Sequence, residues 1–453
     1  MIDSVQKLIS GPGLRAQLLR GGVGSLSVKV AHALLAFFLA VVLARTLGPE
    51  GYGVYSFALA IIMLTAIPAQ VGVPQLVVRE TAKAQANGNY ALIRGLWRWS
   101  NLAVAIFSTT ALALVVGTVW FTDIGGEGAR IATLTVGIAL IPVIALANVR
   151  GACLRGLRKV VQGQLPESII RPGVLLLLIL IFGAWFAEDQ LTPQIAMGLF
   201  VAAAIVAFAV GTWLLHRARP SELNFRPKPE YRASSWRNAV VPLAMIAGLQ
   251  LINNYADIII LGLFWPDDEV GIYRAVVQFS LLVAIGFHII DKVIQPYLAA
   301  FYEASDLRNF QSLTVASMAI VFSCGALVSV LFFVFGEQLL SLIFGPLYAS
   351  GWLALAILSI GKLFYSCMGI AWHVLNMSGY QYQTFKAAMV AASVNVTANI
   401  VLIPTYGMDG AAIGTAFAFF VFFILLARSV SKYVGIRLAP RVVSLATRPS
   451  LRR

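Results

Sequence analysis

Apolar runs of about 20 residues recur along the whole chain, and each is long enough to cross the hydrocarbon core of a bilayer. Backbone amides and carbonyls in lipid have no water to bond, so such runs must satisfy themselves as helices. Twelve spans can be read, near residues 22–44, 52–72, 97–120, 131–150, 166–186, 194–215, 239–263, 270–297, 312–335, 350–374, 386–404 and 410–430. The composition agrees: 59% of the 453 residues are hydrophobic and 11% are charged, with a mean hydropathy of +0.85. A soluble domain carries about 25% charged residues. The first run begins near Val23, holds Lys29 and His32, and leads into charged turn residues instead of a small-residue cleavage site. It reads as an anchor and not as a signal peptide. Three cysteines, Cys153, Cys324 and Cys367, offer neither a disulfide framework nor zinc-ligand spacing.

The loops alternate in sign. Arg79, Lys83, Arg94 and Arg98 lie between spans 2 and 3, and Arg150, Arg155, Arg158 and Lys159 between spans 4 and 5. Arg217, Arg219, Arg226, Lys228, Arg232 and Arg237 follow span 6, and seven more basic residues lie in the tail. In all, 27 of the 33 basic residues fall on one side. The opposite loops hold Glu50, Asp123, Glu127, Glu188, Asp189, Asp267, Asp268, Glu269, Glu337 and Asp409, against Arg45 and Arg130. Basic loops stay in the cytoplasm, so both termini are expected there. The net charge of +14 is then mostly a topology signal, and nucleic acid is not an expected partner.

The chain echoes itself. GYGVYSFALA (51–60) resembles EVGIYRAVVQ (269–278), with Gly53 and Gly271 separated by 218 residues. GLRKVVQ (156–162) weakly resembles GYQYQTF (379–385), at an offset of 223. Two similar offsets argue for two homologous halves of six helices each. An even number per half gives both halves one orientation, so their pseudo-twofold axis lies along the membrane normal, as in transporters built from parallel repeats. The expected fold class is an all-α polytopic membrane protein of twelve transmembrane helices in two six-helix bundles. The expected division is an N-terminal bundle (1–216), a basic cytoplasmic linker (217–235), a C-terminal bundle (236–430) and a basic tail (431–453).

Charged and polar residues inside the spans fall at helical spacing. Ser25, Lys29 and His32 share a face of span 1, and Gln250, Asn253, Asn254 and Asp257 a face of span 7. Arg274, Gln278, His288, Lys292 and Gln295 line span 8, and Lys362, Tyr365, Ser366, His373 and Asn376 span 10. A charge at the bilayer centre costs about 2.5–3.5 kcal/mol on insertion scales, so it commonly faces a partner or an aqueous cavity. Each has a plain structural alternative. Lys29 and Lys292 can snorkel to the headgroups, Asp257 and Arg274 can form an ion pair, and the histidines can bond across helices. Lys362 lies too deep to snorkel easily, and Arg171, before Pro172 in span 5, is nearly as awkward. Among the deep charges Lys29, Arg171, Arg274, Lys292 and Lys362 outweigh Asp257 and Asp291. A positive cavity of low dielectric favours an anionic substrate, bearing phosphate or carboxylate, over an organic cation. His288 and Asp291 lack further ligands, so no metal site is expected.

ARTLGPEGYGVYSFALAI, QVGVPQLVVRE (70–80) and ADIIILGLFWPDDEVGIYRAVVQ (256–278) resemble the helix 1–2 and helix 7–8 signatures of the polysaccharide flippases of the Wzx type. That family belongs to the MOP exporter superfamily, with the MATE multidrug extruders and the lipid II flippases. The resemblance implies a V-shaped pair of bundles with a central cavity lined by helices 1, 2, 7 and 8, working by alternating access. Its implied cargo is an undecaprenyl-pyrophosphate-linked oligosaccharide, moved across the bilayer for O-antigen or exopolysaccharide assembly, with a polysaccharide polymerase as a further partner. Carried onto this chain, Lys29, Arg45 and Arg274 would receive the pyrophosphate or acidic sugars, and Asp257 would pair Arg274 or act in cation coupling. His32, Gln278, His288, Lys292 and Lys362 complete the expected substrate-binding set. No cofactor is expected beyond H⁺ or Na⁺ as a coupling ion. The two additional helices of lipid II flippases have no counterpart in these twelve spans, which disfavours peptidoglycan precursor as cargo.

Two rivals make different demands. A MATE-like cation exporter needs acidic residues deep in the N-terminal helices, and Glu167 low in span 5 is the sole such residue there. A polysaccharide polymerase or other membrane enzyme needs a sizeable extramembrane catalytic loop, and the outer loops are short. No G-x-x-x-x-G-K-[ST] phosphate loop is present for an ATP-driven pump. A non-enzymatic transporter is therefore expected.

Overall fold

The computed structural model describes residues 14–66, 72–121, 128–186, 190–225, 228–304 and 306–436. Among the described residues every regular element is helical. The elements are α1 (Leu14–Thr65), α2 (Val73–Ala86), α3 (Tyr90–Phe121), α4 (Gly128–Gly137), α5 (Leu140–Gly156), α6 (Val160–Leu165), α7 (Arg171–Trp185), α8 (Pro193–Ala218) and α9 (Ser221–Asn224). They continue as α10 (Ala233–Phe264), α11 (Asp267–Ser280), α12 (Ile285–Glu303), α13 (Leu307–Phe344), α14 (Trp352–Met377) and α15 (Gln381–Ser429).

Nine described helical stretches are long and apolar enough to cross a membrane. Two of them are broken by a glycine. In α1 the break is Gly48 (φ 66°, ψ 175°), beside Pro49. In α15 it is Gly407 (φ 54°, ψ −133°), three residues beyond Pro404. Counting those two twice gives eleven, and α10, whose Leu251–Phe264 segment is apolar, gives the twelfth. The chain is thus an all-helical protein of twelve membrane-crossing helices. The expected turn at Gly48-Pro49-Glu50-Gly51 sits at a left-handed glycine, a conformation that β-carbons oppose.

One stretch expected to be loop is a helix. α2 opens with Pro74 after Gly72 (φ 83°) and buries Val73, Leu76, Val77, Thr81 and Ala84 at helical spacing. That face packs into an apolar core with Ile93, Leu96, Val149, Cys153 and Trp236, while Arg79 and Lys83 stay on the surface side. Two spans are also locally irregular. A π-helical turn, Pro166–Ile170, separates α6 from α7, and a 3₁₀ turn, Leu281–Ala284, separates α11 from α12.

The internal repeat is written in the hydrogen bonds. At the end of α5, Leu157, Arg158 and Lys159 donate backbone N–H groups to the carbonyls of Cys153, Arg155 and Leu154. At the end of α14, Ser378, Gly379 and Tyr380 donate to Val374, Asn376 and Leu375, the same pattern shifted by 221 residues. The end of α2 (Asn87 to Lys83, Asn89 to Ala84) recurs after α12 (Ala304 to Ala300, Asp306 to Phe301), shifted by 217. These are Schellman-type helix ends, which need a left-handed residue. Gly88 (φ 66°) and Gly379 (φ 84°) supply it as glycine, and Arg158 (φ 62°) supplies it as a non-glycine.

The two signature segments pack on each other. A β-carbon on Gly53 would strike the carbonyl oxygen of Asp267, and one on Gly271 would strike that of Pro49. Positions 49 and 53 correspond to 267 and 271 at the 218-residue offset, so the two collisions are one contact seen from either side. Apolar surface gains little by leaving lipid, so membrane helices associate through close backbone approach at small residues. Gly151 against Gly163, and Gly361 against Ala416, are of the same kind.

The chain divides into two compact units that cut across the repeat. The first holds Met1–Phe279, Phe332–Leu358 and Ala392–Thr415; the second holds Ser280–Leu331, Ser359–Ala391 and Ala416–Arg453. The first therefore joins the N-terminal half to α10, most of α11 and segments of α13, α14 and α15. The second has its own core, built on Phe287, Leu298, Phe310, Val374, Leu375 and Leu426.

Candidate functional site

The signature segments place a cluster of tyrosines around the deep charges of the first unit. Tyr52 and Tyr55, one helical turn apart beyond Gly48, are buried and stack at 6.5 Å. Arg274, next to Gly271 on α11, hydrogen-bonds the Tyr52 hydroxyl and lies within Coulombic reach of Asp257 and Tyr255. The Tyr273 hydroxyl donates to Asp257 Oδ2 at 2.8 Å, and Asp257 Oδ1 accepts its neighbour Ile258 N–H at 2.9 Å. Arg274 and Asp257, set as candidates by their depth, thus sit in one polar cluster with compensating charge. The tyrosines were not among the expected site residues. Their signal was in the sequence, as the aromatic partners of the glycines in GYGVY and GIY.

At this acidic end of the molecule both expected basic residues are engaged. Arg45 donates from Nε to the carbonyl of Ile343 at 2.8 Å and from Nη2 to that of Leu342. These are the last carbonyls of α13, which its helix leaves unpaired, so a cation is favoured there. Arg45, a residue expected to receive substrate, caps the end of α13 in this structure. Tyr348 adds a 2.8 Å bond from its hydroxyl to the carbonyl of Ala44. Arg130 on α4 grips Asp267 with Nε–oxygen distances of 3.0 Å. It also donates to the carbonyl of Gly262 at 2.9 Å and lies 4.6 Å over the Phe57 ring. Trp265 Nε1 donates to the carbonyl of Ile403 at 2.7 Å, and Glu269 accepts the N–H of Met408, next to the Gly407 break, at 3.1 Å.

Span 1 faces the irregular turn of span 5. His32 Nδ1 lies 2.9 Å from the carbonyl of Ser168, inside the π-turn, and Ser25 donates to Gln164 Oε1 at 3.1 Å. A π-turn shifts the carbonyl register and commonly marks functional positions. Glu167 and Arg171 pair at 2.5 Å across it, with Arg171 5.6 Å over the Phe200 ring. Lys29 is exposed on the same helix. His32, a residue expected to face substrate, makes this inter-helix contact through Nδ1.

The second unit carries its own polar centre. Asp291 on α12 pairs with His373 on α14 and accepts Gln295 Nε2 at 2.9 Å, with Phe287 stacked 6.2 Å from the imidazole. Lys362 lies 5.3 and 5.1 Å from the Tyr365 and Phe419 rings, a cation–π arrangement. The candidate histidine His288 is exposed beside Phe287, at 5.5 Å between rings. Gln278 is half-buried on α11. The side chains of Lys292 and Gln250 lie outside the described residues, as do loop residues Asp123, Glu127, Glu188, Asp189 and Arg226 and the tail from 437. The candidate residues therefore form several groups: Asp257 with Arg274 among tyrosines, Arg45 at the end of α13, His32 toward span 5, and Lys362 in the second unit.

A sequence profile of a family described as "Polysaccharide biosynthesis protein" matches residues 18–302. The chain belongs to that family. Among its curated relatives is the "Probable low-salt glycan biosynthesis flippase Agl15" of Haloferax volcanii, 22% identical over 439 residues, covering 96% of this chain and 88% of that protein. Two solved structures share the fold. One, described as an "Inward-facing conformation of a multidrug resistance MATE family transporter of the MOP superfamily", aligns with a TM-score of 0.72 at 13% identity, covering 90% of this chain and 98% of its own. The other, "Lipid II flippase MurJ, inward closed conformation", aligns with a TM-score of 0.68 at 14% identity, covering 89% and 87%. At such identities the likeness establishes the fold alone. The family member is thus a multi-pass membrane protein of twelve helices that shares the fold of these two solved structures.

Proposed function

We propose that this chain is a flippase, translocating lipid-linked oligosaccharides across the membrane for surface-polysaccharide assembly. The observation that carries the reading is the alignment, over nearly the full length of both chains, with a protein described as a glycan biosynthesis flippase. The charge reading supports it. Arg171, Arg274 and Lys362 sit within spans, and a head bearing phosphate or acidic sugars is the cargo that such cations attract. The cargo is an undecaprenyl-pyrophosphate-linked repeat unit, whose sugar-pyrophosphate head follows the polar route while its polyprenyl tail stays in lipid. The membrane is the bacterial inner membrane with both termini cytoplasmic, as the basic loops argue, and a polysaccharide polymerase receives the product. Coupling is to H⁺ or Na⁺, with the Asp291–His373 pair and Asp257 as the groups able to hold a cation. Lys29, Gln278, His288 and Lys292 remain proposed contributors to the substrate route.

Deletion in the native host tests the function: lipid-linked oligosaccharide should accumulate and surface polysaccharide should fall at least about tenfold. Normal surface polysaccharide in the deletion strain would overturn the reading. Lys362→Ala and Arg274→Ala should each impair export at unchanged protein level, and full export by both would remove the deep cations from the route.

A further inference from the structure

The repeat offset turns two contacts at the acidic end into one. Tyr348 follows Arg130 by 218 residues, and Gly262 follows Ala44 by the same 218. Arg130 Nη1 donates to the carbonyl of Gly262 at 2.9 Å, and the Tyr348 hydroxyl donates to the carbonyl of Ala44 at 2.8 Å. Arg130 stands in the first turn of α4, and Tyr348 in the 3₁₀ turn Pro346–Gly351 that leads into α14. Each half thus reaches across to grasp the end of the other half's first span. The two grasps are clasps related by the pseudo-twofold. Between them, the equivalent residues Gly53 and Gly271 meet each other, and equivalent residues can meet only on the axis itself.

The clasps are alike in position and unlike in chemistry. The Arg130 clasp is charged: its guanidinium also forks onto Asp267, with both side chains largely buried, and lies over the Phe57 ring. Parting such a pair strands a buried charge, which is the costliest way to lose a contact. The Tyr348 clasp is neutral and rests on rings. Tyr348 lies 5.8 Å from Phe344, while Phe37 of α1 lies 6.3 Å from Phe344 and 6.1 Å from Phe279. Rings part without stranding a polar group, and lipid chains replace the lost contacts at little cost. A single hydroxyl–carbonyl bond adds only a modest net attraction. Arg45 ties the same side to the end of α13, but it is exposed, where a cation at a helix end is screened.

We propose that the acidic end is a gate that opens on one side: the Tyr348 clasp parts, the Arg130 clasp holds, and the Gly53–Gly271 contact is the pivot. Opening then separates the α13–α14 turn from the end of span 1. The proposal does not depend on what the chain carries. Spin-label pairs in the full-length protein, in nanodiscs of phosphatidylcholine, test it by pulsed dipolar distance measurement. Cys153 and Cys367 are buried, and the exposed Cys324 is replaced by Ala. Glu50→Cys with Leu347→Cys spans the Tyr348 clasp, and Gly128→Cys with Asp268→Cys spans the Arg130 clasp; all four positions are exposed. Tyr348→Phe removes the hydroxyl alone. It should raise the long-distance population of the first pair about fivefold and leave the second pair unchanged. Should Tyr348→Phe fail to fold, Arg45→Gln, at an exposed position, should widen the first pair alone. Widening of the second pair in either variant, or an unmoved first pair in every folded variant, would overturn the proposal.

Discussion

At the residue scale, the most constrained positions are the two signature glycines. A β-carbon at Gly53 or Gly271 meets a backbone carbonyl of the opposing segment, which cannot rotate away as a side chain could. Gly53→Ala and Gly271→Ala should each destabilise the protein by more than about 3 kcal/mol, read as a lowered unfolding midpoint or loss of folded material from the membrane. Arg130 and Asp267 offer a second test, because their side chains are only 15% and 13% exposed. Arg130→Gln leaves Asp267 without its fork of donors and should cost about 2–4 kcal/mol, whereas an Arg130→Met/Asp267→Met pair should cost less than the single change. A double variant less stable than the single would show that the pair contributes net attraction. Arg45 illustrates why such roles are hard to read from sequence. Its position beside the turn was evident, but its partners are carbonyls about 300 residues away at the end of α13, and backbone acceptors carry no sequence signal.

At the element scale, the repeated helix ends make a comparison within one molecule. Arg158 holds a left-handed conformation that its counterpart Gly379 adopts without strain. Arg158→Gly should therefore stabilise the α5 end by about 0.5–1 kcal/mol, and Gly379→Ala should destabilise the α14 end by about 1 kcal/mol; thermal unfolding of both variants gives the two signs. Equal signs would mean that Arg158 side-chain contacts outweigh its backbone strain. The membrane spans were legible because lipid demands unbroken apolar runs, and a run is a local property. α2 was not, since its apolar positions 73, 76, 77 and 84 alternate with Arg79, Glu80 and Lys83, and average out in a hydropathy window. The 3₁₀ turn within span 8 was equally hidden, because its residues, LLVA, are as apolar as those of any membrane helix.

At the scale of the whole molecule, the linker is docked and not free. Glu230 donates its N–H to the carbonyl of Ala91 at 3.1 Å, and its carboxylate accepts Asn89 Nδ2 at 3.0 Å. The Asn89 bond first, and then Arg232, hold that carboxyl below the usual carboxylate range. A depressed folded-state value means the docking contribution is complete above the unfolded-state pKa and is lost as pH falls through the folded one. Exchange protection of the Glu230 amide, corrected for intrinsic rates, should then hold at neutral pH and fall below about pH 4, and Glu230→Ala should lack it at neutral pH. Protection independent of pH in the wild-type chain would assign the docking to the backbone bond alone. The candidate site was legible only in part. Polar stripes marked Arg274, Asp257 and Lys362, but which group each stripe faces depends on helix rotation, which spacing along one helix does not determine. The reciprocal contact of Gly53 and Gly271 has a consequence of another kind. A patch that meets its own counterpart is the isologous contact of a symmetric homodimer, so a half-length ancestor could have assembled with a second copy of itself through this motif before gene fusion. In such a homodimer every substitution at the seam would appear twice; within one chain the two copies can differ, as they do where Arg274 stands at the position matching Ser56.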